Sequence, residues 1–354
     1  MSDACDTNVC GIVCETLCCA KKYSPLLCMM NNATLKKLSE MLGLSISTVS
    51  RALKDHPDIS DKTKLRVREL AEALDYEPNT NAIQLRTNKN NLFGLIVPSI
   101  SNFFYDSFIA SVEEECRKNN YSMLILQTGD DTVMEQESIK LCRQNRVAGV
   151  FTCITSNTSD ITAYQKLQNS DVPVIFFDKV PADDNVMKVC MADAESAAIA
   201  ANTILEKKKK KILALFGNKS LSITKKREEA FQKTINGAVA TIVHHVNNAD
   251  EAKHVTASAV MQNPDTVFCM SDEILTGAMK AIQEAGLKIP GDIAVIAISN
   301  GFIPKLYHPE ITYVETSGYK LGKLAFESMM ACVNGTNTVK EHTVESILVN
   351  GGSI

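Results

Sequence analysis

The sequence predicts an all-α helix-turn-helix head followed by an α/β core of two lobes, each a doubly wound parallel sheet. Three observations carry this expectation. Capped amphipathic segments crowd residues 35 to 74, and short apolar runs then alternate with helical stretches to the C-terminus. Roughly 260 residues holding about ten such runs are too many for one comfortable sheet, so two similar lobes with a cleft between them are expected.

In the head, Leu35, Leu38, Met41 and Leu42 recur at spacings of three and four and mark one apolar helix face. Gly43 supplies a residue that turns with positive φ. Ser45 is a helix N-cap, its side-chain oxygen taking an orphan backbone N–H, and Ile46 to Lys54 contains no Gly or Pro. Ser60 caps a third helix whose buried stripe is expected to be Leu65, Val67, Leu70, Ala71 and Leu74, with Lys62, Lys64, Arg66 and Arg68 outside. Val49 and Leu53 are assigned to the small core. Capped amphipathic helices also build ordinary hairpins, so the pattern alone leaves DNA binding and plain packing both open.

Beyond residue 91 the strand-like runs are "LFGLIVPSIS", "SMLILQ", "AGVFTCI", "VPVIFF", "MKVCMA", "KILALFG", "TIVHHV", "DTVFCM" and "DIAVIAIS". Bounded by turn residues and separated by amphipathic helices, they predict parallel sheets joined by right-handed crossovers. His244 and His245 fall in one run, where neighbours face opposite ways, so one buried and one exposed histidine are expected rather than a metal site. The basic run at residues 206 to 211, "EKKKKK", is expected to end a helix, complement its dipole and stay solvated.

The 354 residues are 45% apolar with a formal net charge of -4, distributed unevenly. Residues 35 to 91 hold ten Lys/Arg against eight Asp/Glu, whereas residues 92 to 354 hold 25 against 30. A head of only +2 attracts phosphates weakly, so two heads per molecule, and hence a homodimer, are expected if it binds DNA. No run of about 18 apolar residues occurs, so no membrane span is expected.

Six of the twelve cysteines, Cys5, Cys10, Cys14, Cys18, Cys19 and Cys28, lie in the first 28 residues. Their spacings lack the paired C-x-x-C of zinc sites, no histidine is near, and acidic Asp3 and Asp6 stand where a secretory signal is basic. Residues 1 to 29 are therefore expected to be a disordered or artefactual extension ahead of a start at Met29 or Met30. The scattered remaining cysteines suit reduced thiols and a cytoplasmic location.

"TLKKLSEMLGLSISTVSRALKDHPDIS" followed by "YEPNTNAIQLR" resembles the DNA-binding head and hinge of the lactose-repressor (LacI/GalR) family of bacterial transcription regulators. "GLIVPSISNFFYDSF", "VPVIFFDKV", "KKREEAF", "VFCMSDEILTGAMKAIQEAGLKIPGDIAVIAIS" and "PEITYVETSGYKLGKLA" extend the resemblance over nearly everything after residue 29. The resemblance implies a core of the periplasmic sugar-binding-protein type. The expected division is head 30 to 77, hinge 78 to 91, and an effector-binding and dimerisation core 92 to 354.

Position assigns roles in the head. Ile46 and Ser47 open the second helix and meet base edges in the major groove, while Arg51, one turn on, reaches a guanine with its bidentate fork. Ser45, Thr48 and Ser50 carry short hydroxyls suited to phosphate oxygens. By resemblance, the hinge helices of a dimer enter the minor groove, Leu85 wedges a central base step and Ala82 packs near it; such wedging bends the duplex. Ile83 departs from the polar or basic residue common in relatives.

The resemblance also implies an effector site between the lobes. Phe104 and Tyr105 would form a stacking wall, and Asp178, Arg227, Ser271, Asp272 and Ser299 would supply hydrogen bonds. Ser271 and Ser299 stand where relatives often carry Asn and Asp, which points away from a simple hexose. Phosphate-loop, dinucleotide, nucleophile-elbow and zinc-protease motifs are missing from the sequence, so neither an enzyme nor a cofactor is expected. A solute-binding protein would share the cleft but lack the head and need export. The expected function is a DNA-binding transcriptional repressor of near-palindromic operators, controlled by a small polar effector such as a sugar or sugar derivative.

Overall fold

The computed structural model describes residues 33–77, 90–183, 185–336 and 339–354. The chain divides into two compact units between Lys89 and Asn90. The N-terminal extension and the hinge positions Ala82, Ile83 and Leu85 lie outside the described residues.

The first unit is a three-helix bundle: α1 (Leu35–Leu42), α2 (Ile46–Leu53) and α3 (Asp61–Ala73). Gly43 ends α1 in the left-handed region at φ 64°, and its N–H returns to the carbonyls of Ser39 and Glu40, which makes the tight turn into α2. Ser45 and Ser60 cap α2 and α3, their Oγ atoms accepting from Thr48 N at 3.1 Å and Thr63 N at 3.4 Å. Leu38, Val49, Ala52, Val67 and Ala71 form the core, with Leu53 half-buried against it.

Two expected members of the apolar faces are instead exposed: Met41 and Leu65, at 54% and 58%. Leu65 precedes Val67 by two residues, which on a helix turns it to the far side of the stripe. Lys64 is drawn inward, its side chain only 12% exposed and its Nζ 3.2 Å from Asp55.

The second unit holds two lobes of matching design. The first contains β1 (Leu92–Val97), α4 (Phe103–Lys118), β2 (Ser122–Gln127), α5 (Thr132–Gln144), β3 (Gly149–Thr152), α6 (Thr162–Gln168), β4 (Val174–Phe177) and β5 (Met187–Met191). The second contains α7 (Asp193–Glu206), β6 (Lys211–Phe216), α8 (Ser222–Ile235), β7 (Ala240–His245), α9 (Ala249–Ala259), β8 (Thr266–Cys269), α10 (Asp272–Glu284), β9 (Ala294–Ser299) and β10 (Thr312–Glu315). The chain then returns through α11 (Gly318–Val333), packed on α4, and β11 (Glu341–Val344), and ends with β12 (Ile347–Val349) in the second lobe.

The sheet orders are β11-β5-β4-β3-β1-β2 and β12-β10-β9-β8-β6-β7. All described pairings are parallel except β10 with β12. Central strands covered on both faces read as unbroken apolar runs, and β9 is buried along its whole length. The backbone crosses between lobes three times, near residues 192, 316–317 and 345–346. In each lobe the order reverses beside the first strand, which places a topological switch point, and hence a crevice, at the carboxyl ends of the strands.

The nine expected runs are all strands, whereas β10, β11 and β12 escape sequence reading: β10 is a buried four-residue strand between β9 and β12, and β11 and β12 are short, partly exposed edge strands. His244 and His245 are both half-buried rather than split between core and solvent, and His245 Nε2 lies 2.8 Å from Glu228 Oε2. Their strand is a sheet edge, where neither face is fully open or fully covered. The lysine run closes α7 and enters β6; Lys207 Nζ donates to the Ile354 carbonyl at 3.2 Å, and Lys211 Nζ donates to the Gln262 carbonyl.

Candidate functional site

A cavity of about 420 Å³ opens between the lobes at the carboxyl ends of the strands. The first lobe contributes Asn102, Phe104 and Tyr105 from the start of α4, Asp130 from the turn after β2, Ser156 from the loop after β3, and Asp178 and Lys179 after β4. The second contributes Asn218 after β6, Arg227 on α8, Asn247 after β7 and the segment Met270–Ile274 at the start of α10.

Six of the seven expected effector residues line this cavity: Phe104, Tyr105, Asp178, Arg227, Ser271 and Asp272. Ser299 stands behind it, 1% exposed, and its hydroxyl donates to Asp272 Oδ1. Ser271 caps α10, its Oγ accepting from Ile274 N at 3.4 Å. Both serine hydroxyls are therefore engaged with the protein itself.

Tyr105 is almost fully buried and its hydroxyl donates to Asp178 Oδ2 at 2.7 Å. Burial first, then the Asp178 charge, holds the phenol well above its ordinary pKa, so it remains a neutral donor. Asp178 and Asp130 both adopt left-handed backbone, at φ 57° and 61°. That conformation costs roughly 1–2 kcal/mol per non-glycine residue and is tolerated best by Asn and Asp. The turns it makes aim both carboxylates at the cleft rim.

Lys179 Nζ lies 3.2 Å from Asp130 Oδ1 and 3.3 Å from Ser156 Oγ. Burial works against its ammonium, but the groups around it, Cys153, Asp130 and Asp178, outweigh burial and raise its pKa. Asp272 and Glu273 are raised by burial, opposed for Asp272 by the bonds from Ser299 and Asn300 and for Glu273 by the Lys179 charge.

Arg227 is not a solvated helix charge. It is 5% exposed, with Nε and Nη2 donating to Asp193 Oδ1 at 3.0 and 2.8 Å and Nη1 donating to the Met270 carbonyl at 2.7 Å. Sequence reasoning missed Asp193, and also Asp130, Lys179, Asn218 and Asn247. Each lies within a few residues of the end of an apolar strand run, the position that the switch-point rule marks for ligand contacts.

In the head, Ile46 is 48% exposed despite opening a helix whose other face holds buried Val49 and Ala52. Ser45, Ser47 and Arg51 are exposed beside it, with Thr48 and Ser50 half-buried. Ser45 Oγ lies 2.8 Å from both Ser47 Oγ and Thr48 Oγ1, a cluster of hydroxyls at the helix N-terminus. Such a terminus presents donors and a positive dipole end to an anion such as a phosphate.

Residues 90–349 match the family described as periplasmic binding proteins and sugar binding domain of the LacI family, and residues 34–79 match bacterial regulatory proteins, lacI family. The chain belongs to the lacI family of bacterial regulatory proteins. Among its relatives are the HTH-type transcriptional repressor PurR of Vibrio atlanticus, 25% identical over 84% of this chain and 91% of that protein, and the ribose operon repressor of Haemophilus influenzae, 26% identical over 86% and 93%. The Lac repressor dimer bound to operator and the anti-inducer ONPF shares the fold, with a TM-score of 0.82 at 19% identity over 91% of this chain and 99% of that one.

As a lacI-family member the chain is a DNA-binding transcriptional regulator with a helix-turn-helix head and an effector-binding core, not an enzyme. Among the described residues, no helix is long and apolar enough to cross a membrane.

Proposed function

We propose that this lacI-family regulator is a cytoplasmic homodimeric repressor that reads a near-palindromic operator and is controlled by a small, polar, hydroxyl-rich effector bound between its lobes. The observation that carries the effector reading is the inter-lobe cavity, where one aromatic wall faces carboxylate, amide and guanidinium groups supplied by both lobes. Apolar walls with a few converging polar groups are the usual chemistry of small-molecule sites. Neighbours of the same fold include a cellobiose complex of CelR, with a TM-score of 0.67, and a D-xylulofuranose complex of a regulator from Alkaliphilus metalliredigens, with a TM-score of 0.66.

In this reading Ile46, Ser47 and Arg51 read bases, Ser45, Thr48 and Ser50 position the helix on phosphates, and Leu85 with Ala82 wedges the minor groove at the dyad. Phe104 and Tyr105 stack on the effector, while Asp178, Arg227 and Asp272 meet its polar groups. Ser271, which lines the cavity, also caps α10, and Ser299 acts through Asp272.

Selection from random duplex DNA tests the head. The recovered site should be a near-palindrome, and Arg51→Ala should lose about 1–3 kcal/mol and relax preference at one base per half-site. An asymmetric site, or unchanged specificity in Arg51→Ala, overturns the assignment. A thermal-shift screen of mono- and disaccharides and their derivatives then tests the cleft.

A further inference from the structure

Outside the effector cavity the lobes touch at several points, among them Ser222 Oγ to the Val180 carbonyl at 3.4 Å and Lys226 to Glu341 at 4.0 Å, and one of these contacts is an aromatic bridge. Phe103, the first residue of α4 in the first lobe, stacks on Phe302, which follows β9 in the second; the ring centroids are 4.9 Å apart and the planes 30° apart. Asn300 Nδ2 donates to the Phe103 carbonyl at 2.6 Å, again across the lobes. Both rings remain about half exposed, at 42% and 51%, so neither belongs to a lobe's core. A second cavity of about 360 Å³ lies beside them, lined also by Ser317 and Gly318 at a crossover.

The bridge is wired to the cleft on both sides. Asn300 N donates to Asp272 Oδ2 at 3.0 Å, and Asp272 lines the effector cavity. On the other lobe, Phe103 immediately precedes Phe104, part of the aromatic wall. The local backbone is built for this placement. Asn300 Oδ1 accepts from Phe302 N at 3.0 Å, and Gly301 turns at φ 91°, where a side chain would strike the Tyr313 hydroxyl.

We propose that Asn300 is a positioning residue that ties the effector-facing carboxylate of Asp272 to closure of the lobes, with the Phe103–Phe302 stack as the latch it holds. One residue performs three tasks: its backbone N–H orients Asp272, its side-chain oxygen shapes the turn, and its side-chain NH2 crosses to the other lobe. A ligand that pulls on Asp272 therefore moves the latch, and a ligand can shift a two-state element only through such differential contacts. This role rests on the cleft reading for Asp272, whereas the latch itself does not.

The chain contains no tryptophan, so Phe302→Trp places a single reporter in the latch. In the full-length Phe302→Trp protein, adding Asn300→Asp keeps an acceptor for the Phe302 N–H but removes the donor to the Phe103 carbonyl. The acrylamide quenching constant should rise at least twofold, with cooperative unfolding retained by circular dichroism and a larger radius of gyration by X-ray scattering. Phe103→Leu should do the same, and so should Asp272→Ala, which touches neither ring. Unchanged quenching in Asn300→Asp overturns the latch, and unchanged quenching in Asp272→Ala overturns its tie to the cleft. If the latch responds but Asp272→Ala leaves binding of a sugar hit from the screen unaltered, the effector assignment falls and the latch stands.

Discussion

Arg227 shows how one side chain changes meaning between sequence and structure. In the sequence it is a basic residue on an amphipathic helix; in the fold it is buried against Asp193, with both partners 5% exposed. Burial pushes the Asp193 carboxyl up while the Arg227 guanidinium opposes it, and the geometry of two short bonds from one fork favours the ionised pair. Removing one partner leaves the other unpaired, so Arg227→Ala should destabilise the protein by about 3–5 kcal/mol in urea unfolding. Replacing both, as Arg227→Met with Asp193→Leu, should restore most of that loss. A near-neutral single variant would show that the cleft admits enough water to solvate Asp193. Effector affinity in Arg227→Ala therefore has to be read beside stability, a coupling that the family pattern alone does not disclose.

At the scale of elements, α5 and α6 are joined through a buried acid. Glu135 on α5 is fully buried and accepts from the Tyr164 hydroxyl on α6 at 2.7 Å and from the Thr158 hydroxyl just before it. Burial raises its pKa, opposed by those hydrogen bonds. A raised folded value means that both states are protonated below the unfolded value near 4.3, where the contribution to stability is fully present. It is lost as pH rises through the folded value and the buried group must ionise. Glu135→Gln should accordingly melt higher than the parent at pH 7, with the difference vanishing near pH 4; a parallel pair of melting curves against pH would show that Glu135 is not desolvated. The apolar runs made β1 to β9 legible: central strands covered on both faces are apolar nearly throughout, and the edge strands β2 and β7, though partly exposed, keep an apolar run of their own. β10 and β11, TYVE and EHTV, were not legible, since polar residues interrupt the apolar run, and β12 is a run of only three residues.

For the whole molecule, charge is the main constraint. A head carrying +2 beside a core segment carrying -5 binds phosphate weakly alone, so the proposed dimer is what supplies two recognition helices to one operator. Sedimentation equilibrium of the full chain should give twice the 38.7 kDa chain mass, and operator affinity should fall steeply and log-linearly with salt. A monomer at operator-binding concentrations would remove the reason for a palindrome. Cys116, Cys142, Cys153, Cys190 and Cys269 are buried free thiols, and burial pushes Cys116, Cys142 and Cys190 up to about 12. They pack in the interiors of the lobes as reduced thiols, the form that their scatter through the sequence suggested.

Local chemistry was enough to determine the helices of the head, the exposed start of α2 and the alternation that makes two parallel sheets, whereas the cleft candidates, six of seven of which line the cavity, came from the family resemblance and not from local pattern. Caps, turns and strand runs act over a few residues, so their signals survive in one dimension. Tertiary structure alone decided that Ser299 backs Asp272, that Asp193 claims Arg227, and that Lys64 turns inward onto Asp55. It also decided that Phe103 and Phe302, 199 positions apart, share one face of the molecule. These are pairings between residues far apart in the chain, or on neighbouring elements, whose partner is fixed by how lobes and helices pack, and no periodicity in the sequence encodes that distance.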